Sequence, residues 1–279
     1  MAEASGGRTV FLTGAAGGIG RVMTGALLAD GHAVAAVDRD AAALDRLVAA
    51  AGARRDRLHA IPADLATEAG CREAVAAAAK HFGAIEAVIN NAGIGMSAIR
   101  PDAEARPPTI EELTPEIFHQ FFAIFVRAPV AITRALVPSM RARRFGRIVN
   151  NTTSYLTMLR VLPYGAAKAA LESLSAVWAK DLAGSGITVN VLVPGGPTDT
   201  PLIADASGWP RDKMLRPEIM GPPTAWLVSD GSNGFNGRRI TAARWDTKLP
   251  PDQAAERASR AIGWPELSAD AVWLQGSRP

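Results

Sequence analysis

The sequence predicts an α/β fold in which a doubly wound parallel sheet carries helices on both faces. Two observations carry this. Short aliphatic runs alternate with longer helical patterns along most of the chain, which is the rhythm of strand–helix–strand units. The runs are apolar at successive positions, as expected of strands buried on both sides. The 279 residues exceed an average domain, yet parallel α/β folds reach this size as one unit.

Taken in order, Val10-Phe11-Leu12 reads as the first strand, and residues 19–29 as a helix. A strand at 33–37 leads to a helix at 41–50. A strand at 58–61 leads to an alanine-rich helix at 67–82. Residues 85–89 form the next strand, and 115–143 a long helical region. The pattern then gives a strand at 147–150, a helix at 164–182, a strand at 188–193, a short helix at 223–228 and a last strand at 239–242. Three segments break the rhythm: 95–114, the Gly- and Pro-rich stretch 194–223, and everything after Asp246. Loops this long in a compact domain are usually functional or flexible. The division is therefore a domain over 1–246 and a C-terminal extension over 247–279, packed on the domain or on a neighbouring subunit, with Trp264 or Trp273 as anchors.

Composition narrows the function. A net charge of +3 is a weak field. The basic clusters at Arg54, Arg55, Arg57 and at Arg141, Arg143, Arg144 lie beside helix ends, where cations suit the macrodipole. No aromatic residues interleave with them, so nucleic-acid binding is not expected. One cysteine, Cys71, rules out an internal disulfide and a thiolate metal cluster; no metal site is expected. No secretory signal and no apolar stretch of membrane-span length stand out, and a cytoplasmic protein is expected.

Thr13-Gly14-Ala15-Ala16-Gly17-Gly18-Ile19-Gly20 joins the first strand to the first helix. Glycines there allow a tight turn, let a pyrophosphate approach the backbone and let the helix pack close to the strand. The helix N-terminus offers free N–H groups and positive dipole to phosphates. Gly14, Ala16, Gly17, Gly18, Ile19 and Gly20 are therefore candidate cofactor contacts on a Rossmann-type fold. Asp38 ends the second strand, where a carboxylate accepts from both hydroxyls of an adenosine ribose and repels a 2′-phosphate. That favours NAD. Arg39 follows at once and could instead meet the 2′-phosphate of NADP.

Tyr164 and Lys168 are four apart and share one face of a helix. A free phenol has a pKa near 10 and is a poor base at neutral pH. A nearby ammonium lowers that value and would let Tyr164 exchange a proton with an alcohol or carbonyl oxygen.

These motifs together resemble the classical short-chain dehydrogenase/reductase (SDR) family. The match comprises the 13–20 turn, Asp38, Asp64-Leu65, Asn90-Asn91-Ala92-Gly93, Tyr164-x-x-x-Lys168, and Asn190 through Pro194-Gly195, in family order and spacing from about residue 8 to 243. The resemblance implies that Asp64 and Leu65 hold the adenine. It implies that Asn91, Ala92 and Gly93 line the adenine-side ribose and the middle of the cofactor. Pro194, Gly195 and Thr200 would sit near the nicotinamide amide, and Lys168 would bind the nicotinamide ribose.

Two departures stand out. The family usually places a Ser at the end of the strand before the Tyr; here the position falls on Thr153, with Ser154 next to it as a substitute. The family's helical Asn, whose main-chain carbonyl holds a water linked to the Lys, is replaced by Phe125, and the helix is expected to bend near Pro129. On the substrate side, Met96, Met158, Leu159, Leu162, Trp209 and Met214 suggest an apolar rim, while Arg100 and Arg160 are expected to be solvated. The reading is an NAD-dependent oxidoreductase moving a hydride between nicotinamide and a small secondary alcohol or carbonyl compound. The alternatives are an NADP-dependent carbonyl reductase, or a cofactor-binding sensor or scaffold with weak catalysis. A homotetramer or homodimer is expected.

Overall fold

The computed structural model describes residues 7–266. Among them the aliphatic runs form β1 (Thr9–Thr13), β2 (Ala33–Asp38), β3 (Leu58–Pro62), β4 (Ala87–Asn90), β5 (Gly146–Asn151), β6 (Ile187–Val193) and β7 (Arg238–Thr241). These pair in parallel in the order β3-β2-β1-β4-β5-β6-β7, and β8 (Ser259–Ala261) adds to β7 in antiparallel fashion. The chain winds outward from β1 to β3, returns to β4 on the other side of β1, and winds outward again. The carboxyl ends of β1 and β4 therefore mark the switch point where such sheets bind ligands.

The strands are largely apolar on both faces because the two faces have separate cores. Side chains alternate across a strand. Val10 and Leu12 of β1 enter one core, with Met23, Leu27, Leu44, Leu227 and Ala255. Phe11 enters the other, with Cys71, Ala74, Ile132, Leu136 and Ala179. The first core is built by α1 (Gly18–Ala29), α2 (Ala41–Ala51), α8 (Gly221–Val228) and α9 (Pro251–Ala258); the second by α3 (Glu68–Phe82), α5 (Ala128–Arg143) and α7 (Tyr164–Asp181). Cys71 is buried there, and burial pushes its thiol up.

Side-chain caps start several helices. Asp40 accepts from the Ala43 N–H at 2.9 Å, and Thr67 from Gly70 at 2.9 Å. α1 differs: its N-cap is Gly17, and no side chain caps its first turn.

The long helical region is not uniform. α4 (Pro115–Phe122) passes into α5 through a π-helical segment, Ala123–Arg127. Pro129 has no N–H to give the Phe125 carbonyl four residues back, and the Ala128 N–H reaches the Ala123 carbonyl five back. The bend expected near Pro129 thus takes the form of a π turn just before it. From Pro115 to Arg143 the helix is long and apolar enough, by length and composition, to cross a membrane. This corrects the expectation that no stretch reaches that length. In this fold it packs as a core helix, with Phe121, Phe125, Ile132, Leu136 and Met140 buried.

The segment after Asp246 is helical in α9 and pairs with β7 through β8. Trp264 sits beside Tyr155, with ring centroids 5.8 Å apart. Trp273 lies outside the described residues.

Candidate active site

The glycine-rich turn is locked between β1, β2 and β4. Gly14 has φ +63, and a side chain there would meet the Ala92 Cα at 2.8 Å. A Cβ on Gly20 would lie 1.9 Å from the Gly14 carbonyl oxygen. Thr13 accepts from the N–H groups of Asn91 and Ala92 at 2.9 and 3.0 Å. The Asn91 amide donates to the carbonyls of Thr13 and Gly14, both at 3.1 Å. Asp38 accepts from the Ala16 N–H at 3.1 Å and the Asp40 N–H at 3.2 Å. Its carboxylate therefore stands against the turn, while Arg39 is exposed. A turn closed to side chains at Gly14 and Gly20, an uncapped helix N-terminus and a carboxylate at the end of β2 together fit a dinucleotide.

The other predicted cofactor contacts flank this cradle. Asp64 accepts from the Ala66 N–H at 2.9 Å, and Leu65 is buried. Gly93 faces the Phe125 ring, which a Cβ would approach to 2.8 Å. Gly195 has φ +108, in the left-handed region, and Thr200 is buried against Gly18.

The chemical half is assembled from the ends of β5 and α7. The Thr153 side chain lies close enough to the Tyr164 hydroxyl to pull its pKa down, but burial is the larger effect and pushes it up to about 12. Ser154 is engaged differently: it caps α6 (Tyr155–Met158), accepting from the Thr157 N–H at 3.1 Å. Lys168 is 4% exposed, and burial alone brings its amine down to about 7. Its Nζ donates to the Asn151 carbonyl at 2.6 Å and lies 4.4 Å from the centre of the Phe125 ring. Phe125 also meets Tyr164 edge-on, at 5.2 Å and 85°.

Lys168 is thus not seen to lower Tyr164 as expected, since burial dominates there. Burial is the larger effect on Tyr164 and the cause of the shift at Lys168, and it favours the neutral form of both. A cavity of about 10 Å³ lies beside Lys168, lined by Thr13, Asn90, Phe125 and Leu171 among others.

Residues 8–210 match the family model for short chain dehydrogenases. The chain belongs to the short-chain dehydrogenase/reductase family. It is similar to 2,3-dihydroxy-2,3-dihydro-p-cumate dehydrogenase of Pseudomonas putida, with 31% identity over 218 residues, 76% of this chain and 77% of the relative. It is also similar to 2-(R)-hydroxypropyl-CoM dehydrogenase of Xanthobacter autotrophicus, at 32% over 191 residues, 67% and 74% of the two chains. Among solved structures, 3-ketoacyl-(acyl-carrier-protein) reductase from Brucella melitensis complexed with NADH superposes with a TM-score of 0.69 at 29% identity, covering 85% of this chain and 95% of that one. The protein is an oxidoreductase acting on CH–OH or C=O groups of small molecules, with a nicotinamide cofactor.

Within this short-chain dehydrogenase the apolar rim divides in two. Met96, Met158 and Met214 are buried, whereas Leu159 is 82% exposed and Trp209 39%. Arg160 is exposed. Arg100, expected to be solvated, instead ties its own loop together: it pairs with Asp102 at 3.0 Å and Glu112 at 3.3 Å. Arg211 does the same for the 194–223 segment, pairing with Asp199 at 3.1 Å and Asp205 at 2.6 Å and donating to the Ile203 carbonyl at 2.6 Å.

Sequence reasoning missed one cluster. Arg239 of β7 and Glu172 of α7 form a buried ion pair at 2.6 Å, with side chains 4% and 0% exposed. Charged side chains are almost never fully buried unless paired. No sequence spacing links residues so far apart; the one signal is a pair of arginines, Arg238 and Arg239, in a short strand.

Proposed function

We propose that this dehydrogenase uses NAD and interconverts a secondary alcohol and its carbonyl, with Tyr164 as the proton-exchanging group. The observation that carries this reading is geometric: Lys168, buried and donating to the Asn151 carbonyl at 2.6 Å, lies one helical turn from Tyr164, with Thr153 near the Tyr164 hydroxyl. Thr153 holds the substrate oxygen, and Tyr164 gives or takes its proton. Lys168 supplies the positive charge that stabilises a phenolate when its amine is protonated. The nicotinamide, when bound, accepts or delivers the hydride. Gly14, Ala16, Gly17, Gly18, Ile19 and Gly20 cradle the pyrophosphate, Asp38 takes the adenosine ribose and selects NAD, and Arg39 points the alternative toward NADP. Asp64, Leu65, Asn91, Ala92, Gly93, Pro194, Gly195 and Thr200 complete the cofactor site. Ser154 serves as a helix cap.

Tyr164→Phe tests the assignment. NADH binding, followed by cofactor fluorescence, stays near wild type. Oxidation of a panel of secondary alcohols and reduction of the matching ketones falls by about 10²–10⁴. Turnover near wild type would remove Tyr164 from the chemistry.

One observation favours a second reading, a cofactor-binding sensor or scaffold with weak catalysis. Phe125 covers Lys168, and the lysine sits where burial favours its neutral form. NADH binding with no turnover across the whole panel would select it.

The assembly we propose is a homotetramer or homodimer through α5 and α7, whose Val130 and Val177 are exposed at 36% and 57%. A clean monomer in light scattering would overturn it. A reducing cytoplasm, the compartment we propose, suits the buried thiol of Cys71.

A further inference from the structure

The Arg239–Glu172 pair reaches the reaction site directly. Arg239 donates to the Thr153 carbonyl at 2.5 Å, to the Thr152 hydroxyl at 3.1 Å and to Glu172 at 2.6 Å. The Thr152 hydroxyl in turn donates to Glu172 at 2.7 Å. Both residues of the Thr152-Thr153 step are therefore gripped from behind, each by the guanidinium and Thr152 also by the carboxylate. On its far side the same pair holds the chain after β8. Glu172 accepts from the Gly263 N–H at 3.3 Å and the Tyr155 hydroxyl at 3.4 Å, and Tyr155 also donates to the Gly263 carbonyl at 2.7 Å. The Arg239 guanidinium lies 4.3 Å from the Tyr155 ring centre.

Burying a charged pair is costly, and a well-packed apolar pair of similar volume often serves stability as well. What an apolar pair cannot do is fix a backbone carbonyl. The planar guanidinium offers donors in a rigid fork, and here that fork spans Glu172, Thr152 and Thr153. A one-residue error at Thr153 would remove its hydroxyl from Tyr164, and geometric errors of about 1 Å at such a site cost about 10²-fold in rate.

We propose that Arg239 and Glu172 are positioning residues. They hold Thr153 in register against Tyr164 and make that register depend on docking of the segment at Gly263. The inference rests on the reading of Thr153 as the partner of Tyr164, and the experiment separates the two.

The protein contains two tyrosines, Tyr155 and Tyr164, so labelling the phenol carbon of tyrosine gives two NMR signals, assigned with Tyr164→Phe. Thr153→Val moves the Tyr164 signal if Thr153 is its partner; no movement there defeats the Thr153 reading itself. Arg239→Lys keeps the charge but cannot span all three acceptors. It moves the Tyr164 signal in the same direction as Thr153→Val, and adds nothing in a Thr153→Val background. The Tyr155 signal, which Arg239 touches directly, moves in either case and shows that the substitution has taken effect. Glu172→Gln, a gentler change, gives the same pattern with a smaller shift and stands in if Arg239→Lys does not fold. In turnover, Arg239→Lys lowers kcat by tenfold or more with the NADH Kd unchanged. A Tyr164 signal left at its wild-type position in the Lys and Gln variants, with Tyr155 shifted, would overturn the proposal, as would losses that multiply independently in the Thr153→Val background.

Discussion

The two halves of the site are built from different materials. Around the glycine-rich turn, fixation is by backbone groups: Thr13, Asn91 and Asp38 bond to main-chain N–H and C=O groups of neighbouring strands. Around Tyr164, fixation is by buried ionisable side chains, Lys168, Arg239 and Glu172, with an aromatic ring on the lysine. A backbone-built site tolerates few added atoms and depends less on charge. A charge-built site tolerates small changes of shape and responds strongly to pH and to loss of a partner.

The largest effect expected from this contrast is steric. Gly20→Ala would place a Cβ 1.9 Å from the Gly14 oxygen. It should cost about 3 kcal/mol or abolish folding, and any folded protein should bind NADH poorly. Gly25→Ala, on the same helix with nothing within 4 Å, should gain about 0.5–1 kcal/mol from helix propensity alone. Equal effects of the two changes in urea melts would show that the turn is not sterically closed.

The next effect is electrostatic. The folded Lys168 amine titrates at about 7, while an unfolded lysine titrates near 10.4. Between those values the unfolded chain binds a proton that the folded chain does not, so stability rises with pH across that window. Tyr164, raised to about 12 in the fold, acts in the opposite sense above pH 10, where only the unfolded phenol ionises. Lys168→Met should flatten the rise between pH 7 and 10 and stabilise the protein at pH 7, at the expense of turnover. An unchanged slope in the Met variant would place the titration elsewhere.

The smallest effect is at the cofactor ribose. Asp38→Ala should shift the ratio of NADPH to NADH affinity by about tenfold toward NADPH. It should also lower stability by about 1 kcal/mol, because the Ala16 and Asp40 N–H groups lose their acceptor. An unchanged preference would mean that another group reads the 2′ position.

Much of this was legible in the chain. The aliphatic runs at 10–12, 33–37 and 188–193 fall within β1, β2 and β6, because a strand buried on both faces is built mainly from apolar residues. Less visible was the π segment at 123–127. Its trigger, Pro129, is plain in the sequence, but whether a missing N–H yields a kink or a π turn depends on what packs around it. The part Ser154 plays is likewise set by tertiary geometry: its side chain caps its own helix start, which favours our proposal of Thr153.

The sequence by itself determined the α/β architecture, the glycine turn and the family, since each is written in local spacing that secondary structure converts directly into position. Only the tertiary structure decided the state of Tyr164 and Lys168. Their ionisation depends on how completely the fold removes them from water, and burial there outweighs the attraction that four-residue spacing alone suggested. It also decided that an arginine on β7 and a glutamate on α7 meet behind Thr153. That contact is set by the packing of one helix on one strand across 67 residues of chain, a relation that no local pattern encodes.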